Sequence, residues 1–405
     1  MALASGNSPA GTAPESGEAC PPADRLVAHP DRRLGFYVHV PYCAVRCGYC
    51  DFNTYTPAQL QPMGVGDYTA AALAEIDLAA AALGPQAPPL STVFFGGGTP
   101  TMATDTQLAT LLGSLHDHFG LGPGAEVTLE ANPETLTPAR LDGLLASGFT
   151  RLSLGMQSAD ESVLTILERR HSPGRALQVA RWAHQAGWRD VSLDLIYGTP
   201  GETLTSWRAT LDAALAVDPE HVSAYSLIVE EGTPMARRIA RGELEAPDED
   251  DQADKYLLAE QVLAGAGLEN YEISNWARPG HEAGHNLAYW HSDDWWGIGP
   301  GAHSHLDGVR WWNVKHPGHY AQMLGEGRLP VEGHEILDGP TQHEERLLLG
   351  LRLRDGLPMS ELDRGETRRM REQVARGLVV LQEDRARLTL RGRLLADAVT
   401  RDVLA

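Results

Sequence analysis

The chain reads as an α/β protein organised on a parallel sheet, and two observations predict it. Short β-branched runs alternate with helical stretches six times between residues 36 and 228, the pattern of strands joined by crossover helices. Polar or glycine features stand at the carboxyl ends of five successive predicted strands, where parallel α/β folds keep their chemistry. Periodicity leaves an open doubly wound sheet and a partial barrel equally possible.

The predicted strands are 36–40, 92–95, 126–131, 151–156, 191–197 and 222–228. Between them the helical stretches are 67–83, 105–119, 138–147, 160–169, 173–186 and 204–217. Several open with Asp, Thr or Pro, which suit helix starts. Ahead of the first strand, residues 1–33 are rich in Ala, Gly, Pro and Ser. They lack a basic start followed by an apolar block, so they predict a disordered tail and not a secretory signal. No run of about 18 apolar residues predicts a membrane span. The formal charge of −21 disfavours a general nucleic-acid binder, whose phosphate contacts need a basic face.

The stretch YVHVPYCAVRCGYCDFN, residues 37–53, carries three of the four cysteines, Cys43, Cys47 and Cys50, spaced C-x3-C-x2-C. They follow an apolar run that Pro41 ends, so the three thiols share one loop at a strand end. Three soft ligands there suit an iron–sulfur cluster or a zinc ion. Zinc sites usually close with a fourth Cys or His, often as paired C-x2-C units, and the chain has no second pair. Three thiolates on a cubane leave one iron free to hold a small molecule. Cys20 lies far from the trio, in the tail, and reads as a thiol outside the site. No disulfide framework is present, which fits a reducing cytoplasm.

The spacing resembles the radical S-adenosylmethionine (SAM) superfamily. That resemblance implies a 4Fe–4S cluster on Cys43, Cys47 and Cys50, with SAM chelated at the open iron. One electron from the cluster would cleave SAM to a 5′-deoxyadenosyl radical. It also implies an incomplete (β/α)6 barrel over residues 34–270. The triplet Gly96-Gly97-Gly98 lets backbone approach a ligand closely, and it matches no phosphate-loop pattern. In radical SAM proteins a glycine-rich segment after the second strand contacts the methionyl amino group, and Gly97, Gly98 and Thr99 match it. Glu130, Gln157, Arg169 and Asp194 are the residue types that a ribose diol, an ammonium and a carboxylate require. The segments SLGMQS, LERRHS and SLDLIYGTP around them, with Tyr37, are similar to coproporphyrinogen oxidase-like radical SAM proteins.

Beyond residue 230 the chain reads as helices separated by an acidic, solvated patch at 243–254. Residues 271–340 read as a connecting segment. Seven of the sixteen histidines fall between His281 and His319, and five of the nine tryptophans between Trp290 and Trp312. Such density suits a planar, metal-centred ligand or a packed aromatic connection alike. The glycine-rich turn 297–304 lines the site or simply turns the chain. His285-Asn286-Leu287-Ala288-Tyr289-Trp290 fits H-N-x-x-Y-W, a signature of the heme-chaperone members of this family. The related oxygen-independent coproporphyrinogen III oxidases carry a further cysteine two residues after the third, where Phe52 stands. The resemblance therefore implies heme binding, with His285 as the candidate contact, heme-accepting protein partners and an electron donor. Oxidative decarboxylation of coproporphyrinogen is the alternative. Residues 341–405 read as helices followed by a hairpin, a winged-helix-like shape with Arg364, Arg368, Arg369 and Arg371 on one helix. The chain's acidity and the resemblance argue for a structural or substrate-covering role over DNA binding.

Overall fold

The computed structural model describes residues 20–60, 65–169 and 171–405. Twelve strands form one sheet in the order β12-β11-β10-β9-β1-β2-β3-β4-β5-β6-β8-β7. They are β1 (Leu34–Val40), β2 (Leu90–Gly97), β3 (Leu121–Ala131), β4 (Arg151–Gln157), β5 (Asp190–Tyr197), β6 (His221–Ser226), β7 (Glu269–Glu272), β8 (Asn275–Ala277), β9 (Asp294–Ile298), β10 (His303–Leu306), β11 (Val309–Asn313) and β12 (Val331–Ile336). Strands β1 to β6 are parallel neighbours in chain order. Strand β9 pairs parallel on the outer side of β1, and β10 to β12 continue antiparallel. The six parallel strands with their crossover helices make the incomplete barrel.

The crossover helices begin where polar caps take the first amide donors. Thr104, Thr137 and Thr203 accept from the amides of Gln107, Arg140 and Ser206. Alternation along each strand then separates two faces. Phe36, Val38, Val93, Phe95, Val127, Leu129, Leu152, Leu154, Val191 and Leu193 are at most 1% exposed, in the main core. The inner face of the parallel strands stays half-open at Tyr37, Phe94, Glu130, Gly155, Asp194 and Tyr225.

Two expectations need correcting. The tail expected over 1–33 is partly packed: residues 1–19 lie outside the described residues, but Leu26 and Ala28 are buried in the core. Arg32 Nε donates to Asp294 Oδ2 at 2.8 Å, which fastens this stretch to β9. The connecting segment expected over 271–340 is part of the sheet itself, because it supplies the end of β7 and all of β8 to β12. Its tryptophans Trp276, Trp296 and Trp311 are core residues, 1% exposed or less.

The chain ends in a separate small core. Strands β13 (Leu357–Pro358), β14 (Val379–Gln382) and β15 (Arg385–Leu388) form a three-stranded antiparallel sheet. Helices Gly339–Gly350, Arg364–Ala375 and Ala396–Leu404 pack with it around Leu347, Met370 and Val399. No helix among the described residues is long and apolar enough to cross a membrane.

Candidate functional site at the carboxyl ends of the barrel strands

The cysteine loop starts where β1 stops. Pro41 has no amide hydrogen to extend the ladder, and the chain folds back so that the Cys43 amide donates to the Tyr55 carbonyl at 3.0 Å. The Cys50 amide donates to the Cys47 carbonyl at 3.3 Å, closing a turn between the second and third thiols. Burial, with negative charge at Cys47 adding to it, pushes the Cys43 thiol above its usual range and the Cys50 thiol up to about 11. Thiolates that repel one another in a dry loop suit a cationic centre, which deprotonates a thiol on binding. Among the described residues no three His, Cys, Asp or Glu side chains converge on one metal-ion position. A mononuclear zinc site needs such convergence. A cubane takes each thiolate on a different iron, which three thiols spread along one loop can supply.

The end of β2 lies against this loop. The Gly98 amide donates to the Val40 carbonyl at 2.8 Å and the Thr99 amide to the Tyr42 carbonyl at 2.7 Å. Thr99 Oγ1 donates to Cys43 Sγ at 3.9 Å. A Cβ on Gly98 would stand 2.5 Å from the Tyr42 carbonyl oxygen and 2.9 Å from Cys43 Sγ, so glycine is what lets the two backbones meet here. The Gly97 amide donates to Glu130 Oε2 at 3.2 Å, which links this segment to β3.

Glu130 and Asp194 face the same interior from β3 and β5. Ser153, on the strand between them, donates to the Asp194 carboxylate, at 3.0 Å from Oδ1 and 2.9 Å from Oδ2. Burial, reinforced by the Asp194 charge, pushes the Glu130 carboxyl up to about 8, and burial raises Asp194 too. Neither acid forms an ion pair among the described residues. Two unpaired acids on a half-open inner face are suited to an ammonium group and hydroxyls.

Gln157 ends β4 at φ 65°, beside a register shift between Gly155 and Gln157. A bulge of this kind re-aims a side chain, and a non-glycine residue held in the left-handed region stores strain of the sort found at ligand sites. Arg169 lies half-buried beside it. Its Nη1 donates to Cys47 Sγ at 3.7 Å and its Nη2 to the Gly155 carbonyl at 3.3 Å, while its buried Nε has no partner. That leaves a donor waiting next to the cysteine loop, suited to a carboxylate. Tyr37 OH lies 3.0 Å from His39 Nδ1, and His39 Nε2 lies 3.0 Å from the Asn53 carbonyl oxygen. Burial lowers His39 to about 4, so this ring is neutral at pH 7. The turn 297–304 packs behind the loop, where Asn53 Nδ2 donates to the Pro300 carbonyl at 2.9 Å.

Eleven of the twelve residues singled out in the sequence thus surround the carboxyl ends of β1 to β5: Tyr37, Cys43, Cys47, Cys50, Gly97, Gly98, Thr99, Glu130, Gln157, Arg169 and Asp194. His285 sits toward the other end of the strands, though its ring still stacks on that of Tyr37 at 6.4 Å. It lies at the amino ends of the strands, 1% exposed, with Nδ1 2.8 Å from Thr92 Oγ1 and Nε2 2.9 Å from Tyr289 OH. Burial lowers it to about 4, so it is a neutral imidazole with both nitrogens engaged. Ser153 and Tyr225 belong to the inner face and escaped the sequence reading. The signal for Ser153 was the two-residue period that aligns it with 151 and 155, and for Tyr225 the one that aligns it with 221 and 223.

A thiol trio over an open parallel barrel, with unpaired acids and a waiting guanidinium at the strand ends, defines a radical SAM protein. Residues 37–214 match the Radical SAM superfamily, and residues 337–395 match the HemN C-terminal domain. The chain is 51% identical to the heme chaperone HemW of Mycobacterium tuberculosis, over 94% of this chain and 97% of that protein. It is 33% identical to the heme chaperone HemW of Bacillus subtilis, over 90% and 97%. The chain belongs to the HemW family. Its fold is shared with the solved structure of the Escherichia coli coproporphyrinogen III oxidase HemN, a radical SAM enzyme, at a TM-score of 0.81 and 23% identity over 94% of this chain and 92% of that one.

Proposed function

We propose that this protein binds heme and passes it to heme-requiring proteins, on a core where Cys43, Cys47 and Cys50 hold a 4Fe–4S cluster and SAM lies against it. The observation that carries this reading is the end-to-end similarity to HemW proteins, together with H-N-x-x-Y-W and with Phe52 where the oxidases have a further cysteine. The likeness to HemN, at 23% identity, supports the fold and not the oxidase activity.

When bound, the cluster supplies one-electron reduction of the sulfonium. This chain's own residues bind and orient. Gly98 and Thr99 spend their amides on the cysteine loop, and the segment Gly97, Gly98 and Thr99 lies along the methionyl ammonium. Arg169 holds the carboxylate with its spare donor. Glu130 and Asp194 take hydroxyl and ammonium hydrogens, and their raised pKa values fall when a cation arrives. Tyr37 and Gln157 flank the same ligand.

The test uses anaerobically reconstituted protein. Hemin added to it is expected to give a Soret band that co-elutes with the protein on gel filtration, and coproporphyrinogen is expected to be returned unchanged. Cys43→Ala, Cys47→Ala and Cys50→Ala should each lose cluster iron and sulfide. Hemin eluting alone, or protoporphyrinogen formed with the cluster reduced, would overturn the reading.

A further inference from the structure

The H-N-x-x-Y-W segment is held by a device at the end of the barrel opposite the cysteines. Gly35 near the start of β1, Thr92 near the start of β2 and the first residues of β4 and β5 surround it. From Gly35 to Val40 is about 16 Å of strand. After the turn at Pro279-Gly280 the chain crosses beneath the barrel as a strap, 281–283, and enters helix Gly284–Trp290.

Three side chains from three adjacent strands grip this strap. Glu126 of β3 accepts the Gly284 amide at Oε2, 2.9 Å, and the His285 amide at Oε1, 3.0 Å. Arg151 of β4 donates from Nε to Glu126 Oε2 at 2.9 Å and from Nη2 to the carbonyls of His281 and Glu282 at 2.9 and 3.1 Å. Asp190 of β5 lies 2.6 Å from His281 Nδ1 and 3.5 Å from Arg151 Nη2. From the far side, Arg354 of the carboxyl-terminal part pairs with Glu282 at 3.0 Å. The Arg151 side chain is 4% exposed and those of Glu126 and Asp190 15%.

A buried charge triad gains little net stability, because desolvation offsets the attraction. What such a triad does supply is registry. Four of its contacts are hydrogen bonds to the backbone of the strap and the first two helix residues, so they place the segment whatever its side chains are. The result is a floor. His285 is pinned between Thr92 and Tyr289, its ring stacked 5.2 Å from Phe94, while Asn286 and Tyr289 stay half-exposed.

We propose that Glu126, Arg151 and Asp190 are positioning residues that latch the H-N-x-x-Y-W segment across the amino ends of the strands, and that His285 reaches an iron porphyrin only when this latch opens. The second half rests on the heme-binding reading of the previous section. The first half does not.

Two measurements on the cluster-loaded full chain separate them. Without heme, hydrogen exchange should show the amides of 284–290 slow in the unmodified protein. They should be at least tenfold faster in Glu126→Gln and in the milder His281→Ala, with β4 and β5 unchanged. Equal exchange in all three proteins overturns the latch. With hemin, both variants should form a histidine-ligated spectrum at least fivefold faster. Adding His285→Ala to either variant should remove that gain. A gain that survives His285→Ala, or no gain at all, overturns the gating of His285. Failure of every protein to retain hemin, with exchange still accelerated, sinks the proposed function and leaves the latch supported.

Discussion

Two glycines at the cysteine loop make opposite demands, and single methyl groups separate them. A Cβ at Gly98 meets the Tyr42 carbonyl oxygen at 2.5 Å. That oxygen is fixed by its bond from the Thr99 amide, so backbone must move. Gly98→Ala should therefore cost about 1–3 kcal/mol, seen as a lower melting temperature and reduced iron loading. At Gly155 the obstruction is the Arg169 guanidinium, 2.6 Å away, the far end of a flexible side chain. Gly155→Ala should change stability by less than about 1 kcal/mol and leave iron content intact. It should weaken SAM binding by about tenfold or more, since a charge-assisted hydrogen bond is worth about 1.5–3 kcal/mol. Equilibrium dialysis with SAM decides it: unchanged affinity would remove Arg169 from the site. The cysteines and this glycine segment were legible in the sequence because coordination and close backbone approach restrict residue type. Ser153 was not, since a serine in a strand carries no such restriction until its neighbour is known to be a buried acid.

At the scale of elements, the parallel strands were legible for a physical reason. Their cores are β-branched and buried under helices, and the caps that start the helices are local. The short strands of 271–336 were missed because aromatic and histidine side chains hide the two-residue period. One signal was available: Asp307-Gly308, both at positive φ, make the tight turn that joins β10 to β11. These strands are tied to the barrel by a buried acid that the sequence did not flag. Glu75, on helix Val65–Leu83, accepts from the Gly299 amide at 2.8 Å, Asn313 Nδ2 at 2.7 Å and Tyr320 OH at 2.5 Å. Burial nonetheless pushes it up to about 7 from the ordinary 4.5. The folded chain thus holds this proton more tightly than the unfolded chain does. Stability from this group is full below about pH 4.5 and is lost as pH rises through about 7. Thermal unfolding of the unmodified protein and of Glu75→Gln, compared from pH 5 to pH 7.5, should show the unmodified protein losing ground steadily. A difference that stays flat with pH would mean that Glu75 titrates normally.

For the molecule as a whole, the decisive fact is that the main hydrophobic core and the carboxyl-terminal one meet across polar contacts. Arg393 grips Glu260 at 2.8 and 3.0 Å, Arg354 pairs with Glu269 and Glu282 at 3.0 Å each, and Arg310 pairs with Glu345 at 2.7 Å. Partly exposed ion pairs of this kind contribute roughly 0–1 kcal/mol apiece. They orient the carboxyl-terminal part without making its folding obligatory for the barrel. Met370, fully buried in the smaller core with Leu347, Leu378 and Val399, is the place to separate the two. Met370→Ala should cost about 2–5 kcal/mol, charged to residues 341–405 alone. Their amides should then exchange faster, and their unfolding should precede the main transition. The cluster absorbance should hold until the barrel itself melts, because no cysteine ligand touches that core. The latch at Glu282 is the one point where the two parts bear on the same strap. If the cores are independent, Met370→Ala leaves exchange at 284–290 unchanged, since Glu126 and Arg151 grip the backbone without help. If the cluster is lost in the same transition as the small core, the barrel depends on its neighbour, and the polar seam is stronger than its individual ion pairs.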